Sequence, residues 1–328
     1  MILVTGASGF IASHIVEQLL AKGHQVRGTV RSIKKATAAR PNLELVEADL
    51  MKPASLDAAA KGCTHVIHAA SPYVLNTKDP QTDLVDPAVN GTRNVLEACA
   101  MAGTVKRVVL TSSMAAITDE PDNNHLLTES DWNTKSTLAR NPYYLSKTLA
   151  ERAAWEFIAQ RKPSFDLVAI NPFLVIGPSL IPQLNVSNQI FVDLFKGTYP
   201  GIMSLTWGFV DVRDVADAHV RALATGPAKG RYICAGETVS MRKLVDILQR
   251  NGYDKLPGIP MDNAIGNLLV RLVSYTKPAG VGTYLRTHVG RVPRYDTTKI
   301  RTELGMKFRS AETSIIDTMK DLRKWGHL

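Results

Sequence analysis

Cysteine is scarce. Cys63, Cys99 and Cys234 are the only three in 328 residues, and they stand far apart. An odd, scattered set builds neither a disulfide framework nor a paired zinc motif, so no metal is expected and a reducing cytoplasm is the expected setting. Long apolar runs are missing as well: nothing approaches the ~20 continuous residues of a membrane span, so no membrane partner is expected. The chain opens directly on Met1-Ile2-Leu3-Val4, which leaves no room for a charged leader and an apolar signal segment. Internal repeats and low-complexity tracts are not seen. Lys and Arg exceed Asp and Glu, for a net charge of +9. They are spread along the chain, and the densest patch, Arg31 to Lys35, is short. That pattern reads as a solvated basic surface with one or two anion pockets, not as a nucleic-acid face.

What is present describes an ordinary globular chain, 45% hydrophobic and 21% charged. Its length allows two domains or one large α/β unit carrying a smaller lobe. Met1 to Thr5 is a short apolar run. Gly6-Ala7-Ser8-Gly9-Phe10-Ile11-Ala12 follows, and Ile11, Ile15 and Leu19 then recur every four residues until Gly23. This predicts strand, glycine turn, amphipathic helix and glycine stop. Glycines at such a turn let backbone approach a pyrophosphate, and the helix start offers free N–H groups and its positive dipole end. The motif therefore predicts a dinucleotide site.

A second absence bears on which dinucleotide. Between Gly23 and Leu43 there is no Asp or Glu, whereas Arg31, Lys34 and Lys35 stand at the end of the second strand. An acid there would bond the ribose hydroxyls of NAD, while a cation accommodates the extra phosphate of NADP, so the expected cofactor is NADP(H).

Strand and helix patterns then alternate, as a doubly wound parallel sheet requires. Leu43 to Val46 leads to Asp49-Leu50, where a carboxylate could accept from adenine. His65 to Ser71 ends in small residues, Ala69, Ala70 and Ser71, that let a cofactor lie close. Val105 to Leu110 runs into Thr111-Ser112-Ser113, hydroxyls at a strand end that would face the cleft. Ser113 is a candidate oxyanion donor, although taken alone the three hydroxyls are better accounted for by capping of the strand end. Phe165 to Ile170 is a sixth strand. From Gly177 to Leu205 the sequence turns rich in Pro, Asn, Gln and Ser, with helical spacing only at Ile190 to Phe195, and reads as a substrate loop. Phe209 to Val212 and the helix from Val215 to Ala224 are expected to return to the sheet region. Met241 to Arg250 and Ser310 to Trp325 are predicted helices, and Ile265 to Val273 a short buried one.

The chemistry concentrates at Asn141-Pro142-Tyr143-Tyr144-Leu145-Ser146-Lys147. Tyr143 and Lys147 are one helical turn apart and share a face, and Pro142 suits a first helical turn. A free phenol titrates near ~10, and a neighbouring cation favours the phenolate, so Lys147 is expected to bring Tyr143 toward neutral pH.

Taken in order, Val4-Thr5-Gly6-Ala7-Ser8-Gly9-Phe10-Ile11, Ala69-Ala70-Ser71-Pro72, Val89-Asn90-Gly91-Thr92, Thr111-Ser112-Ser113, Tyr143 to Lys147, Asn171-Pro172 and Phe209-Val210-Asp211-Val212-Arg213-Asp214 resemble the extended short-chain dehydrogenase/reductases. Within them the chain resembles the dihydroflavonol 4-reductase-like branch, which includes aldehyde and ketone reductases such as methylglyoxal reductases. The resemblance covers nearly the whole chain. It implies an NADP-binding Rossmann domain over 1–172, completed by about 207–236, and a C-terminal substrate-binding lobe from 173–206 and 237–328. It implies reduction of an aldehyde or ketone, with Ser113, Tyr143 and Lys147 as the catalytic set. Cofactor contacts carry over to Gly6, Ser8, Gly9, Phe10 and Ile11 at the pyrophosphate, Arg31 and Lys35 at the extra phosphate, Asp49 and Leu50 at adenine, and Pro172, Phe173 and Ser187 beside the nicotinamide. Asn90 would serve a proton relay or packing. A homodimer through the helices of Asn90 and Tyr143 follows by analogy.

Two positions depart from the pattern. Ala12 replaces a third glycine that serves helix-to-strand packing and accepts a methyl. Thr118 stands where flavonoid-specific reductases commonly place an asparagine. The substrate is then expected to be a compact or aromatic aldehyde or ketone, in a pocket of Tyr73, Met114, Thr118 and Phe173. Two alternatives share the motifs: a nucleotide-sugar epimerase or dehydratase using NAD(P), and a non-catalytic protein that senses NADP(H).

Overall fold

The computed structural model describes residues 1–33, 40–71 and 78–328. Strand β1 (Ile2–Thr5) passes through the glycine turn into helix α1 (Phe10–Ala21). Next come β2 (Val26–Val30), β3 (Leu43–Glu47), α2 (Pro53–Ala60), β4 (His65–His68), α3 (Asp86–Ala102), β5 (Arg107–Thr111), α4 (Pro142–Arg161) and β6 (Asp166–Pro172). The remainder is β7 (Leu174–Ile176), α5 (Val186–Phe195), β8 (Ile202–Met203), β9 (Thr206–Asp211), α6 (Val212–Ala224), β10 (Gly230–Cys234), β11 (Thr238–Ser240), α7 (Met241–Arg250), β12 (Pro260–Met261), α8 (Ala264–Val273), α9 (Ala279–His288), α10 (Thr298–Glu303) and α11 (Ala311–Lys324).

Seven strands form one sheet in the order β10-β6-β5-β4-β1-β2-β3, with every pairing parallel. The doubly wound parallel sheet read from the alternation is therefore present. Helices cover both faces, and the two-residue period of the strands divides the core between them. Ile2 and Val4 of β1, with Val168 and Ile170 of β6, pack under α1 and α6. Leu3, Val66, Val108, Leu110 and Leu167 point the other way, toward α2, α3 and α4. The strand order reverses between β1 and β4, and ligands of open α/β sheets bind in the crevice at such a reversal.

A second apolar cluster, with Ile176, Phe191, Trp207, Phe209, Leu244 and Ile315 at its centre, forms the core of the smaller lobe. Here the structure differs from the sequence reading in two ways. β9 stays out of the large sheet, pairing with β7 in parallel and with β11 antiparallel. Of the segment 207–236, only β10 enters the large sheet. The expected substrate loop also carries more order than its composition implied, since α5 begins at Val186, where the Asn185 side chain accepts the Asn188 N–H at 2.9 Å.

Helix α8 is a correction: it is the short helix predicted, but it is not buried. Ile265, Leu268, Leu269, Leu272 and Val273 all lie open to solvent. Apolar spacing specifies a face but not what meets it. Asp211 of the Phe209 to Asp214 motif has a structural role. It caps α6 by accepting the Arg213 N–H at 2.8 Å, grips the Arg213 guanidinium, and accepts the Ser314 hydroxyl of α11 at 2.8 Å.

Candidate active site

The glycine turn lies at the reversal point of the sheet. Gly6 has φ of 66°, in the left-handed region, and a Cβ there would meet the Ala70 Cβ at 3.0 Å. The end of β1 and the end of β4 thus approach more closely than any side chain at position 6 allows. Ser8 and Gly9 are exposed at the tip of the turn. Gly9 caps α1 without a side-chain hydrogen bond, and the first turn carries no acid. The leading N–H groups, those of Phe10 and Ile11 included, have no helical acceptor and are available to an anion. Ala12 is buried in the core between α1 and the sheet, where a methyl fits.

Arg31 follows β2 and is exposed. No acid is near it in sequence, but β3 pairs Glu47 with Val30, and the Glu47 carboxylate accepts the Ile33 N–H at 2.9 Å. One oxygen of that carboxylate is thus taken by the backbone just after β2. Asp49 accepts the Met51 N–H at 2.9 Å, and Leu50 packs against Gly91 of α3. Lys34, Lys35, Pro72 and Tyr73 lie outside the described residues.

Tyr143 and Lys147 occupy the first two turns of α4, which starts at Pro142 as expected. The Tyr143 and Ser113 hydroxyls are hydrogen-bonded to each other, and Ser113 also accepts the Ala115 N–H at 3.1 Å. The Lys147 ammonium donates to the Ser71 hydroxyl at 2.8 Å, and it lies 5.8 Å from the centre of the Tyr143 ring. The structure therefore brings together hydroxyls from the ends of β5 and β4 with the phenol and ammonium of α4.

The electrostatics correct one expectation. Burial pushes the Tyr143 phenol up to about 12, only partly offset by its bond to Ser113. Burial pushes Lys147 down to about 8. The ammonium, aimed at Ser71 and 5.8 Å from the ring centre, does not outweigh this burial, and Tyr143 holds its proton at neutral pH. Beneath Lys147, burial and then the charge of Lys147 push His68 down to about 3. Its imidazole is neutral, with Nδ1 2.8 Å from the Thr5 hydroxyl, which also accepts the Ala70 N–H at 3.0 Å.

Sequence reasoning missed the support of this site. Glu151, one turn beyond Lys147, has a fully buried carboxylate that takes the Arg231 guanidinium at 2.6 Å. It also accepts from Ser112 at 2.5 Å, Asn171 at 2.7 Å and the Trp155 indole at 3.1 Å. Asn171 in turn donates to the Ser113 carbonyl at 3.1 Å. Arg231 stacks on Trp132 at 3.8 Å and donates to the Glu129 carbonyl at 3.0 Å. The available signal was spacing: residues 143, 147 and 151 share one helical face.

The remaining predicted residues are dispersed around this centre. Phe173 follows β6 and packs on Tyr295 at 5.6 Å between ring centres. Met114 is buried beside them. Thr118 donates its hydroxyl to the Glu120 carbonyl at 2.7 Å. Pro172 is buried at the end of β6, and Ser187 lies in the first turn of α5. Asn90 is exposed on α3.

A family model described as NAD dependent epimerase/dehydratase family matches residues 2–235. A cinnamoyl-CoA reductase of Medicago truncatula, CAD2, is 34% identical, over 99% of this chain and 96% of its own. Tetraketide alpha-pyrone reductase 1 of Arabidopsis thaliana is 36% identical, over 100% and 96%. Among solved structures, the yeast methylglyoxal/isovaleraldehyde reductase Gre2 complexed with NADPH matches with a TM-score of 0.84 and 31% identity, over 100% of this chain and 99% of that one. The chain belongs to the NAD-dependent epimerase/dehydratase family, in the dihydroflavonol reductase-like branch of the extended short-chain dehydrogenase/reductases.

Removing one member of the buried pair leaves the other charge stranded. Glu151→Ala is expected to cost about 3–5 kcal/mol in urea unfolding. Replacing both partners, Glu151→Leu with Arg231→Met, should cost less, because no charge then stays buried.

Proposed function

We propose that this protein reduces the carbonyl group of a small aldehyde or ketone to an alcohol, using NADPH. The observation that carries the reading is the Tyr143 phenol hydrogen-bonded to the Ser113 hydroxyl, with Lys147 one turn away. The cofactor fits what is present: a turn that excludes a Cβ at Gly6, uncapped N–H groups at the start of α1, and Arg31 beyond β2 in a stretch, Gly23 to Leu43, without Asp or Glu. When bound, NADPH supplies the hydride.

In this reading the Ser113 hydroxyl orients the carbonyl oxygen and Tyr143 donates its proton to that oxygen as negative charge develops. A phenol near 12 is protonated at neutral pH and suits the reductive direction. Its phenolate product is stabilised by the ammonium of Lys147, which also holds the nicotinamide ribose, so that proton and hydride donors are fixed together. Gly6, Ser8, Gly9, Phe10 and Ile11 serve the pyrophosphate, and Arg31 and Lys35 the extra phosphate. Asp49 and Leu50 meet adenine, with Ala69, Ala70 and Ser71 lying along the cofactor. Pro172, Phe173 and Ser187 flank the nicotinamide. Residues 1–172, completed by 207–236, carry the cofactor; 173–206 and 237–328 form the substrate lobe, whose pocket takes Tyr73, Met114, Thr118 and Phe173. The setting is cytoplasmic, and a homodimer would form through α3 and α4. The relatives named above are reductases, and the epimerase reading is not better supported.

Tyr143→Phe should lower turnover about a hundred- to ten-thousand-fold while NADPH still binds, measured by NADPH depletion with an aldehyde and by cofactor titration. Unchanged turnover would remove Tyr143 from the mechanism. The pH profile gives a separate check. Lys147 is charged below about 8, so kcat/KM should be full below that pH and fall as pH rises through it, whereas Tyr143 adds no limb near neutrality. A profile flat to pH ~10 would refute a loss of activity through deprotonation of Lys147 near 8. Arg31→Ala should raise KM for NADPH about ten-fold and leave that for NADH nearly unchanged; a wild type that favours NADH contradicts the cofactor assignment.

A further inference from the structure

α8 is turned the wrong way for a helix of a soluble lobe. Its apolar residues recur at the i, i+3, i+4, i+7, i+8 spacing that normally marks a buried stripe. Here that stripe faces solvent: Ile265 is 74% exposed, Leu268 59%, Leu269 50%, Leu272 58% and Val273 49%. Ile259 before the helix and Tyr275 and Val281 after it are more than half exposed too. Gly266, Asn267 and Val270 turn inward instead.

That orientation is held by packing. A Cβ at Gly266 would lie 2.1 Å from the Met261 carbonyl oxygen, so only glycine lets the helix seat on β12. The Asn263 side chain caps the helix by accepting the Gly266 N–H at 2.8 Å, and Val270 enters the lobe core with Tyr284 and Leu285. Rotating the stripe inward would break all three contacts.

Along the segment that carries the stripe the charged residues are of one sign, with Arg291 paired to Glu120 from elsewhere in the chain at 3.0 Å. From 263 to 295 there is no Asp or Glu, but there are Arg271, Lys277, Arg286, Arg291 and Arg294. Arg271 and Lys277 are exposed beside the stripe, and the Arg286 guanidinium lies 4.6 Å from the centre of the exposed Tyr275 ring. Asp262, just before the helix, is paired with Arg242. An outward apolar stripe on a short helix, flanked by cations, is the arrangement that lies in the plane of a bilayer surface with its apolar face among the acyl chains. Among the described residues no helix is long and apolar enough to cross a membrane, so such contact would be peripheral. A second copy docked on this face through a two-fold axis would set the same acid-free, cationic stretch against itself.

We propose that the α8 face, with Tyr275 and the cations beside it, docks this protein reversibly on an anionic lipid bilayer. The test is co-sedimentation of the purified full chain with vesicles of phosphatidylcholine alone or mixed with phosphatidylserine. Binding should require phosphatidylserine and weaken with added salt. Leu268→Ser with Leu272→Ser, both on the exposed face, should weaken it at least about ten-fold while NADPH-dependent turnover is retained. Absence of binding to the mixed vesicles, equal binding to both compositions, or unaltered binding by the double variant would each overturn the proposal. So would light scattering that shows a dimer which the double variant dissociates, since the face would then belong to a second copy.

Discussion

The buried pair of Glu151 and Arg231 holds together the parts of the site that the chain delivers from far apart. Glu151 comes from α4, the helix of Tyr143 and Lys147, and Arg231 from β10 at the edge of the sheet. Between them the carboxylate also gathers Ser112 after β5 and Asn171 of β6. A charge removed from water is tolerated only when its partners satisfy it, so the requirements of one carboxylate set the relative position of four elements. The Ser113 hydroxyl and the Tyr143 phenol are neighbours because the segments that carry them are tied to the same group.

A second constraint acts at the other side of the crevice. The strand order reverses between β1 and β4, and the closeness of Gly6 to the Ala70 Cβ leaves no room for a side chain on Gly6 at that reversal. On this side Thr5 is hydrogen-bonded to His68, whose imidazole is neutral beside the charge of Lys147, and Ser71 accepts from the Lys147 ammonium. Lys147 therefore stands between the glycine-turn side of the crevice and Tyr143, and its burial lowers its affinity for its own proton while the phenol retains its one.

Local patterns were legible wherever a residue's role depends on its immediate neighbours along the chain. The glycine turn, the parallel alternation, the start of α4 at Pro142 and the extent of α7 all follow from spacing, and all are present. Spacing misleads where the deciding neighbour comes from elsewhere. The apolar stripe of α8 has the period of a buried helix, yet Gly266 and the Met261 carbonyl turn it outward. β9 resembles a strand of the large sheet, yet pairs with β7 and β11. The direction of the Tyr143 shift depended on how burial and the aim of the Lys147 ammonium compare, and neither can be seen in a one-turn spacing.

Periodicity and motif spacing are properties of contiguous chain, and they were enough to set the class of the fold, the place of the glycine turn and the three residue types of the candidate chemistry. Folding added what they could not: that Tyr143 keeps its proton, that Glu151 and Arg231 support the site, and that α8 presents its apolar face to solvent. Each of those results from desolvation or contact between residues far apart along the chain or on opposite sides of a helix, and such terms acquire a value only once the chain has folded.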